Sequence, residues 1–399
     1  MKKQHDSADA LPVRLILFGD NAFARGFWGR LLQTAADKGA ANMAAVLVRK
    51  APGRTDPGVF RLICKGASGT REMTVTQFAR AVDPFLDEES FYSLADEPSL
   101  TTVLWSPDGT PWLLPNGKLK NEKYPARAQL TLFLFRRFCL EKPGVTIIPS
   151  TPERFNGREL KKRVREYADL RGLGMDFLNW LNLEVRFVNT LAQSTVEGFD
   201  GQCVRMENFQ LLVTDYADAL IAPWSKTVKD MTPYYTAKRF LYDGALASSC
   251  AYSLLHGVNT VTAFMAREKL AKHMRVSVFE EIIPTLHSDF ALQQEYALDM
   301  FNRFSNPNVT VPWETDNLPA RVAESLVPLI LAYTEKEIVP PRHLTFAVAC
   351  TIVWMRAHAP ENTCWRSAVD TLLADTSLWG ADLTFLARDI RRFVEKIEG

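Results

Sequence analysis

The part of the sequence that most limits the fold lies near its start, where two short apolar runs flank an amphipathic segment. Residues 13–19, VRLILFG, are apolar and end at a glycine. The following segment, NAFARGFWGRLLQTAADKG, repeats its apolar residues at helical spacing, and AAVLVR at 44–49 is a second apolar run. A buried strand, a helix and a second buried strand at this spacing predict a β–α–β unit with parallel strands.

The same pattern continues through the first half of the chain and then changes. The runs 101–105 (TTVLW) and 145–149 (VTIIP) repeat the buried-strand pattern on either side of a helical segment at 125–142. After about residue 225, helical periodicity dominates and strand alternation is scarce. Because 399 residues exceed one ordinary hydrophobic core, we predict two domains. The first is an α/β, Rossmann-like domain at 12–225, and the second is a mainly α-helical domain at 226–399.

Composition and charge exclude several classes of partner. The chain has 47 basic and 46 acidic residues, a net charge of +1, so nothing indicates a nucleic-acid partner. The six cysteines are scattered without a CxxC pair, which is typical of reduced thiols in the cytoplasm. The N-terminal residues lack the apolar stretch of a signal peptide, and no run approaches the about 18 apolar residues of a membrane span. We therefore expect a cytoplasmic protein without a membrane partner.

The first strand-to-helix turn, FGDNAFARGF, is the place where a parallel sheet of this kind would bind a ligand. A dinucleotide fingerprint has the form G-x-G-x-x-G because side chains obstruct the phosphates. The turn keeps Gly19 but has Asn21 at the second glycine position. The motif alone therefore leaves dinucleotide binding and a glycine-started helix with another ligand, or none, equally open. At the end of the second strand, Arg49 could meet the 2′-phosphate of NADP.

Motifs along most of the chain resemble one enzyme family. ILFGDNAFARGF is similar to the FGxGNFxRGF opening of the polyol-specific long-chain dehydrogenases, the mannitol dehydrogenase family. The likeness continues, in order, through YPARAQLTLFLFRRF, GVTIIPSTPERFNGRELKKRVREYA, VKDMTPYYTAKRFLYDGALASS, VFEEIIP and NRFSNPNV. It is closest to the tagaturonate and fructuronate reductase branch. The resemblance implies an NAD- or NADP-dependent, metal-independent interconversion of a secondary alcohol and a ketone on a sugar-acid or polyol-like substrate. It also implies a monomer or small homo-oligomer, with the cofactor on the first domain and catalysis on the second.

The resemblance also implies catalytic residues, two of which are substituted. The family segment that matches 238–246 reads K-x-x-x-x-N-G-x-H, in which the lysine is the acid/base and the asparagine and histidine hold the reacting oxygen. Lys238 and Gly244 match this pattern, whereas Asp243 and Leu246 replace the asparagine and the histidine. Lys238 precedes an Asp-Gly pair, from which we predict a tight turn at 243–244.

Further contacts follow from the same resemblance. A family Asp-Arg pair is replaced by Gln193-Ser194. Substrate contacts fall on four residues: Asn156, Arg303, Asn306 and Arg321. Cofactor contacts fall on four residues of the first turn, Gly19, Asn21, Phe23 and Arg25, in addition to Arg49, which is a candidate from its position at the end of the second strand.

The two substitutions leave two functions open. Loss of a preorganised donor at the reacting oxygen costs about 2.7–4 kcal/mol. An ionised Asp243 would repel the developing alkoxide, whereas a protonated one could donate to it or form an acid/base couple with Lys238. The chain is then either an active oxidoreductase with an altered substrate range or a binding or regulatory protein that has lost catalysis. The nearest residues that could fill the space of the histidine are Tyr235, Ser248 and Ser249.

The six histidines are dispersed, and none of them predicts a metal site. No His/Cys or His/Glu pair has ligand spacing, so we predict no metal. His256 lies ten residues beyond Leu246, about 15 Å along a helix, which is too far to replace the family histidine. The charged surroundings of His273 predict a position on a helix surface.

Overall fold

The computed structural model describes residues 12–39, 44–48, 58–84, 86–107, 126–217, 221–286, 289–361 and 363–399. The chain forms two compact units that meet in sequence between Met231 and Thr232. Among the described helices, none has both the length and the apolar character needed to cross a membrane.

The described residues of the first unit form strands and five α-helices, with a π-helical segment at Ala24–Trp28 and 3₁₀ turns at Ser93–Asp96 and Ala222–Trp224. The helices are α1 Gly29–Asp37, α2 Glu88–Tyr92, α3 Ala126–Cys139, α4 Asn156–Leu170 and α5 Met175–Leu183. The strands are β1 Val13–Phe18, β2 Ala44–Val48, β3 Phe60–Gly66, β4 Gly69–Val75, β5 Phe78–Val82, β6 Thr102–Trp105, β7 Thr146–Pro149, β8 Arg186–Phe187, β9 Thr190–Gln193, β10 Val196–Phe199, β11 Cys203–Glu207, β12 Leu211–Thr214 and β13 Lys226–Thr227.

The main sheet of this unit has six parallel strands in the order β5-β2-β1-β6-β7-β8. This order, with the chain reversing direction across the sheet between β1 and β6, is that of a Rossmann fold. The predicted α/β, Rossmann-like class is therefore confirmed. The four strands that the sequence predicted, at 13–19, 44–49, 101–105 and 145–149, are β1, β2, β6 and β7.

The central strands are apolar throughout because both faces of the sheet are covered. In β1, Ile16 and Phe18 belong to one hydrophobic cluster, whereas Leu15 and Leu17 belong to the other. Successive side chains of a strand point to opposite faces, so one continuous apolar run supplies both cores.

Two smaller sheets accompany the main one and were not predicted from the sequence. One has the order β10-β11-β3-β4 and the other β13-β12-β9. In β4 the burial pattern is almost entirely exposed, so its sequence, GTREMTV, lacks the apolar alternation that indicates a strand.

The described part of the second unit is helical, apart from an isolated bridge between Thr260 and Pro312. The predicted mainly helical character is confirmed. Its α-helices are α6 Thr232–Thr236, α7 Gly244–Leu255, α8 Val261–Met265, α9 Glu268–Val276, α10 Phe290–Phe304, α11 Leu318–Ser325, α12 Val327–Glu337, α13 Arg342–His358, α14 Val369–Ala374, α15 Thr376–Trp379 and α16 Ala387–Glu398. Two π-helical segments, Ala237–Asp243 and Ser277–Ile282, and 3₁₀ turns at Ile283–Thr285, Cys364–Arg366 and Thr384–Leu386 connect them.

Helix α7 is packed on several sides by other helices of this unit. It contacts α13, α11 and α9, and its sequence, GALASSCAYSLL, is rich in small residues. Most of those small residues are buried. Small side chains let neighbouring backbones approach, so α7 can be central although its fully buried positions carry no large apolar residue. Ser253 of α7 accepts a hydrogen bond from Trp313 Nε1 at 2.7 Å and donates one to the Val258 carbonyl at 2.7 Å.

His273 of α9 is buried, so the prediction of a surface position was wrong. Its side chain crosses to α7, where Nε2–H donates to the Ser248 carbonyl at 3.1 Å. Lys269 and Lys272, which precede it in α9, are exposed, whereas the ring of His273 packs against α7. Burial is the main reason why the pKa of His273 is lowered from 6.5 to about 4, and the ring of His343 nearby adds to the effect.

We predict that His273 makes the protein acid-sensitive between pH 6.5 and 4. In this interval the unfolded chain binds a proton on the ring that the native protein does not, so the free energy of unfolding falls as pH falls, by on the order of 3 kcal/mol. His273→Gln keeps a donor for the Ser248 carbonyl and takes no proton. Urea unfolding at pH 7 and pH 4.5 should therefore show a smaller loss for this variant.

His358→Gln is the matched control, because His358 is exposed at the end of α13. It should lose as much stability on acidification as the unmodified protein. An equal loss in His273→Gln would contradict the burial argument.

Candidate functional site

Lys238 and Asp243 are brought together by a π-helical turn. The segment Ala237–Asp243 is π-helical and passes directly into α7. Residues five apart in an α-helix point about 140° away from each other, whereas the i→i+5 bonding of a π-helix stacks them. The predicted tight turn at 243–244 is wrong, because Asp243 (φ −70°, ψ −35°) and Gly244 (φ −64°, ψ −42°) are both helical.

The lysine and the aspartate form a two-contact ion pair. Lys238 Nζ donates to Asp243 Oδ1 at 2.9 Å and to Oδ2 at 2.6 Å. The side chains are 30% and 34% exposed, respectively. Burial raises the pKa of Asp243, while the charges of Lys238 and Arg321 act in the opposite direction. An ammonium group has three protons, so the carboxylate leaves one N–H of Lys238 for another acceptor.

The pair lies in the wall of a cavity of about 360 Å³ within the helical unit. The remaining lining has an apolar part and a polar part. Glu314 and Arg321 form an ion pair within the polar part. The apolar part is lined by Tyr242, Leu246, Ala247, Cys250, Val311, Pro312, Trp313 and Leu318, and the polar part by Glu314, Arg321, Glu324 and Ser325.

Leu246 lies in the cavity wall, three residues after Asp243. Cys250 follows it four residues later on the same face of α7, and burial raises the pKa of its thiol to about 12. Neither residue supplies a charge or a strong donor. No histidine lines this cavity among the residues that the structure describes.

The residues considered as replacements for the histidine do not supply one. Ser248 is buried and donates to the Ala245 carbonyl of its own helix at 3.0 Å, and the Ser249 hydroxyl is 3.3 Å from that of Ser248. Tyr235 is also buried and does not line the cavity. His256 lies at the far end of α7, where its Nδ1 is 2.9 Å from the Tyr252 carbonyl. None of these residues therefore places a polar side chain in the cavity, and Leu246 and Cys250 leave the α7 wall apolar.

Arg321 is the one predicted substrate contact of the helical unit that lines the cavity among the described residues. The guanidinium of Arg303 lies 5.0 Å from the centre of the Tyr242 ring, and Tyr242 in turn lines the cavity. Asn306 is buried and accepts from the Asn308 backbone N–H at 3.1 Å. Arg303 therefore contacts Tyr242 of the cavity wall without lining the cavity itself. Asn306 orders the loop that follows α10.

In the first unit, Asn156 is held by its own chain at the start of α4. Its Nδ2 donates to the Thr151 carbonyl at 2.9 Å and to Thr190 Oγ1 at 3.1 Å, while Oδ1 accepts from the Thr190 N–H at 2.9 Å. The side chain is 2% exposed. The role that the structure gives to Asn156 is to join α4 to β9. A substrate contact for this residue stays a prediction.

The first turn of this unit joins the ends of β1 and β6. Gly19 has φ +126°, and a Cβ there would lie 2.1 Å from the Ser106 carbonyl oxygen. Asn21 Nδ2 donates to that same carbonyl at 2.8 Å, and its Oδ1 accepts from the Ala24 N–H at 2.7 Å. The asparagine at the second glycine position therefore caps the following helix and fixes it to the neighbouring strand end.

Two other predicted cofactor residues pack within the same turn, and a third lies outside the described residues. Phe23 stacks on Phe27 with ring centres 5.1 Å apart. Arg25 has no exposed surface, its Nε donates to the Asp20 carbonyl at 3.1 Å, and its guanidinium lies 4.5 Å from the centre of the Phe199 ring. Buried Arg25 therefore stabilises the turn through the Asp20 carbonyl. Arg49 is among the residues that the structure does not describe.

The described part of the chain contains no group of three or more His, Cys, Asp or Glu side chains arranged to hold a metal ion. Gln193 and Ser194, which replace the Asp-Arg pair of the family, have positions within the first unit. Gln193 is buried, and Ser194 Oγ donates to the Phe209 carbonyl at 2.9 Å.

A Rossmann unit followed by a helical unit is the fold of sugar-alcohol dehydrogenases of known structure. The chain superposes on D-sorbitol dehydrogenase in its substrate-free form with a TM-score of 0.81 and 15% identity, covering 98% of this chain and 96% of that one. It superposes on Pseudomonas fluorescens mannitol 2-dehydrogenase, in a ternary complex with NAD and D-mannitol, with a TM-score of 0.73 and 15% identity over 98% and 93%.

The sequence relatives point to one branch of these proteins. The altronate oxidoreductase of Bacillus subtilis (strain 168) is 24% identical over 441 residues, which cover 96% of this chain and 91% of the relative. That of Halalkalibacterium halodurans is 25% identical over 387 residues, covering 87% and 76%. No protein-family profile matches the sequence. The resemblance to the polyol-specific long-chain dehydrogenases, near their tagaturonate and altronate branch, is confirmed.

We predict that Asn21 stabilises the first unit as a helix cap. Asn21→Ala removes the acceptor for the Ala24 N–H and the donor to Ser106, and should lower the free energy of unfolding by about 1 kcal/mol or more. Asn21→Asp retains the acceptor and should lose less. Urea denaturation followed by circular dichroism measures both, and an alanine variant as stable as the unmodified protein would contradict the capping role.

Proposed function

We propose that this protein is an oxidoreductase that uses NAD or NADP to interconvert a secondary alcohol and a ketone on a sugar-acid or polyol-like substrate. The observation that carries the proposal is the paired amine of Lys238 in a cavity wall, in a chain whose altronate oxidoreductase relatives match it over nearly its whole length. A cytoplasmic location and a monomeric or small homo-oligomeric state are part of the same proposal.

Lys238 is the proposed proton donor to the substrate oxygen during reduction. The carboxylate of Asp243 holds two of its N–H groups, which fixes the amine and directs the third N–H elsewhere. When this proton is transferred, the amine becomes neutral. Asp243 is partly exposed and its pKa is raised by burial, so it accepts a proton from solvent more readily than an ordinary carboxyl and passes it to the amine. In oxidation the same steps run in reverse.

The charge of Asp243 would repel an alkoxide, and the charge of Arg321, which is itself paired with Glu314, offsets part of this effect. Arg321 lines the same cavity and its charge lowers the pKa of Asp243. We propose that its guanidinium also meets the carboxylate of a sugar acid, because this planar group binds carboxylates through two parallel hydrogen bonds. The wall formed by Leu246 and Cys250 favours a substrate whose carbon chain has no hydroxyl at that point.

The first unit has features that fit a dinucleotide. The turn joins β1 and β6, at the point where strand order reverses and where ligands of such sheets bind. The N–H groups of Ala22 and Phe23 open the helix and have no carbonyl one turn earlier. Gly19, Asn21 and Phe23 are the residues proposed to hold the cofactor here, with Arg25 supporting them. When bound, the nicotinamide supplies or accepts the hydride.

A second candidate function is binding without catalysis. It is favoured by the apolar Leu246 at the position of the family histidine and by the use of Asn21 as a helix cap. This candidate predicts that ligands of the cavity bind and are not turned over.

Turnover tests the role of Lys238. NADH and NADPH should each be titrated by fluorescence, followed by assays with tagaturonate, fructuronate and related keto acids. Lys238→Ala should abolish turnover and leave cofactor binding and the circular dichroism spectrum unchanged. Lys162→Ala, at an exposed position of α4, is the matched control. Binding of neither nucleotide would refute the proposal, and unchanged turnover in Lys238→Ala would move the chemistry to another group.

A double variant tests whether the substitutions changed the substrate. Asp243→Asn with Leu246→His restores both the neutral donor and the histidine of the resemblance. Since one preorganised donor is worth on the order of a hundred- to a thousandfold in rate, kcat on a hexuronate should rise by about that factor if the native substrate is a hexuronate. A variant without gain would indicate a pocket adapted to another substrate.

A further inference from the structure

The helical unit contains a second cavity, of about 640 Å³, that shares no lining residue with the cavity of Lys238. Helices α7, α9, α13 and α16 form its walls. Its volume lies within the roughly 300–1,000 Å³ of small-molecule sites. None of the roles proposed above uses this cavity.

One wall of this second cavity is a cluster of aromatic rings. Phe346 of α13 packs edge-on against Tyr252 of α7 and against Phe393 of α16, with ring centres 5.2 and 5.3 Å away. Phe346 and Tyr252 also contact the buried ring of His273, at 5.6 and 5.1 Å. Because α7, α9, α13 and α16 all contribute to this cluster, it presents an apolar surface that is already formed.

Four basic residues also line this cavity. Lys269 and Lys272 extend from α9, Arg342 from the start of α13, and Lys396 from the end of α16. Within the described residues, no ion pair involves any of these four cations, and no Asp or Glu lines the cavity. The chain as a whole has 47 basic and 46 acidic residues, so four unpaired cations around one concavity are a local departure from its charge balance.

Glu281, which contacts His343 of this cavity, is already bound by the protein. Glu281 is buried, its Oε1 accepts from the backbone N–H and from Nδ1 of His343, and its Oε2 accepts from the Leu344 N–H. The carboxylate therefore caps α13 and orients the ring of His343. The pKa of His273 is lowered chiefly by burial, so at neutral pH this ring belongs to the apolar wall.

We propose that this cavity binds an organic anion, in which a carboxylate or phosphate is joined to an apolar body. The apolar body would lie on the wall of Tyr252, Phe346 and Phe393, and the anionic group would meet Lys269, Lys272 and Arg342. Lysine provides point charges for such groups, and the arginine fork can bind two oxygens at once. The site is separate from the proposed active site and does not depend on the chemistry assigned to it.

Isothermal titration with two probes tests the proposal, using decanoate for the carboxylate and phenyl phosphate for the phosphate. At least one probe should bind the full chain saturably, with a Kd of about 1 mM or below, and the stronger one identifies the anionic group. Lys272→Glu should weaken that binding by about fivefold or more, because it reverses one charge at the cavity. Lys162→Glu, at an exposed position of the first unit, changes charge equally and should leave the Kd unchanged.

Two more variants separate this site from the other cavity and from general attraction of anions. Lys238→Ala should bind the probe as the unmodified protein does, and Phe346→Leu should weaken decanoate through loss of aromatic surface. The proposal is overturned if neither probe binds at 5 mM, if Lys162→Glu weakens binding as much as Lys272→Glu, or if Lys238→Ala abolishes it. The circular dichroism spectrum of each variant verifies that it is folded.

Discussion

Within a continuous helix, a close ion pair between residues five apart needs the wider turn of a π-helix, and the proposed chemistry of the helical unit depends on such a turn. Lys238 and Asp243 would diverge on a regular α-helix. The wider turn stacks them and gives two contacts, of 2.9 and 2.6 Å, between one amine and one carboxylate. Since the turn continues without interruption into α7, the packing around α7 also holds the pair in place.

The Rossmann unit depends on a comparable local constraint at the junction of β1 and β6. Gly19 lets the chain pass against the Ser106 carbonyl, and Asn21 uses both ends of its amide to fix the helix there. In a glycine-rich turn, backbone flexibility and open space serve the phosphates. Here the side chain of Asn21 supplies the order and occupies part of that space.

The fold could be predicted from the sequence because the central strands of a parallel sheet are buried on both faces. That burial makes 13–19, 44–49, 101–105 and 145–149 continuous apolar runs. The strand β4 was missed because it is exposed and polar. Lys238 and Asp243 could be identified as candidates from the sequence, but their contact could not. An Asp-Gly pair ordinarily indicates a turn, whereas here Asp243 and Gly244 lie within a helix that is packed on several sides. His273 was misplaced for a related reason: neighbouring lysines indicate a surface, whereas one face of α9 is buried.

The small residues of α7 have a consequence for how this pocket can change over time. At its buried positions, such as Ala245 and Ser248, a bulkier replacement would push the neighbouring helices apart. Leu246 and Cys250 face the open space of the cavity instead. Exchange at these two sites therefore changes the cavity wall, while the scaffold that holds Lys238 is preserved.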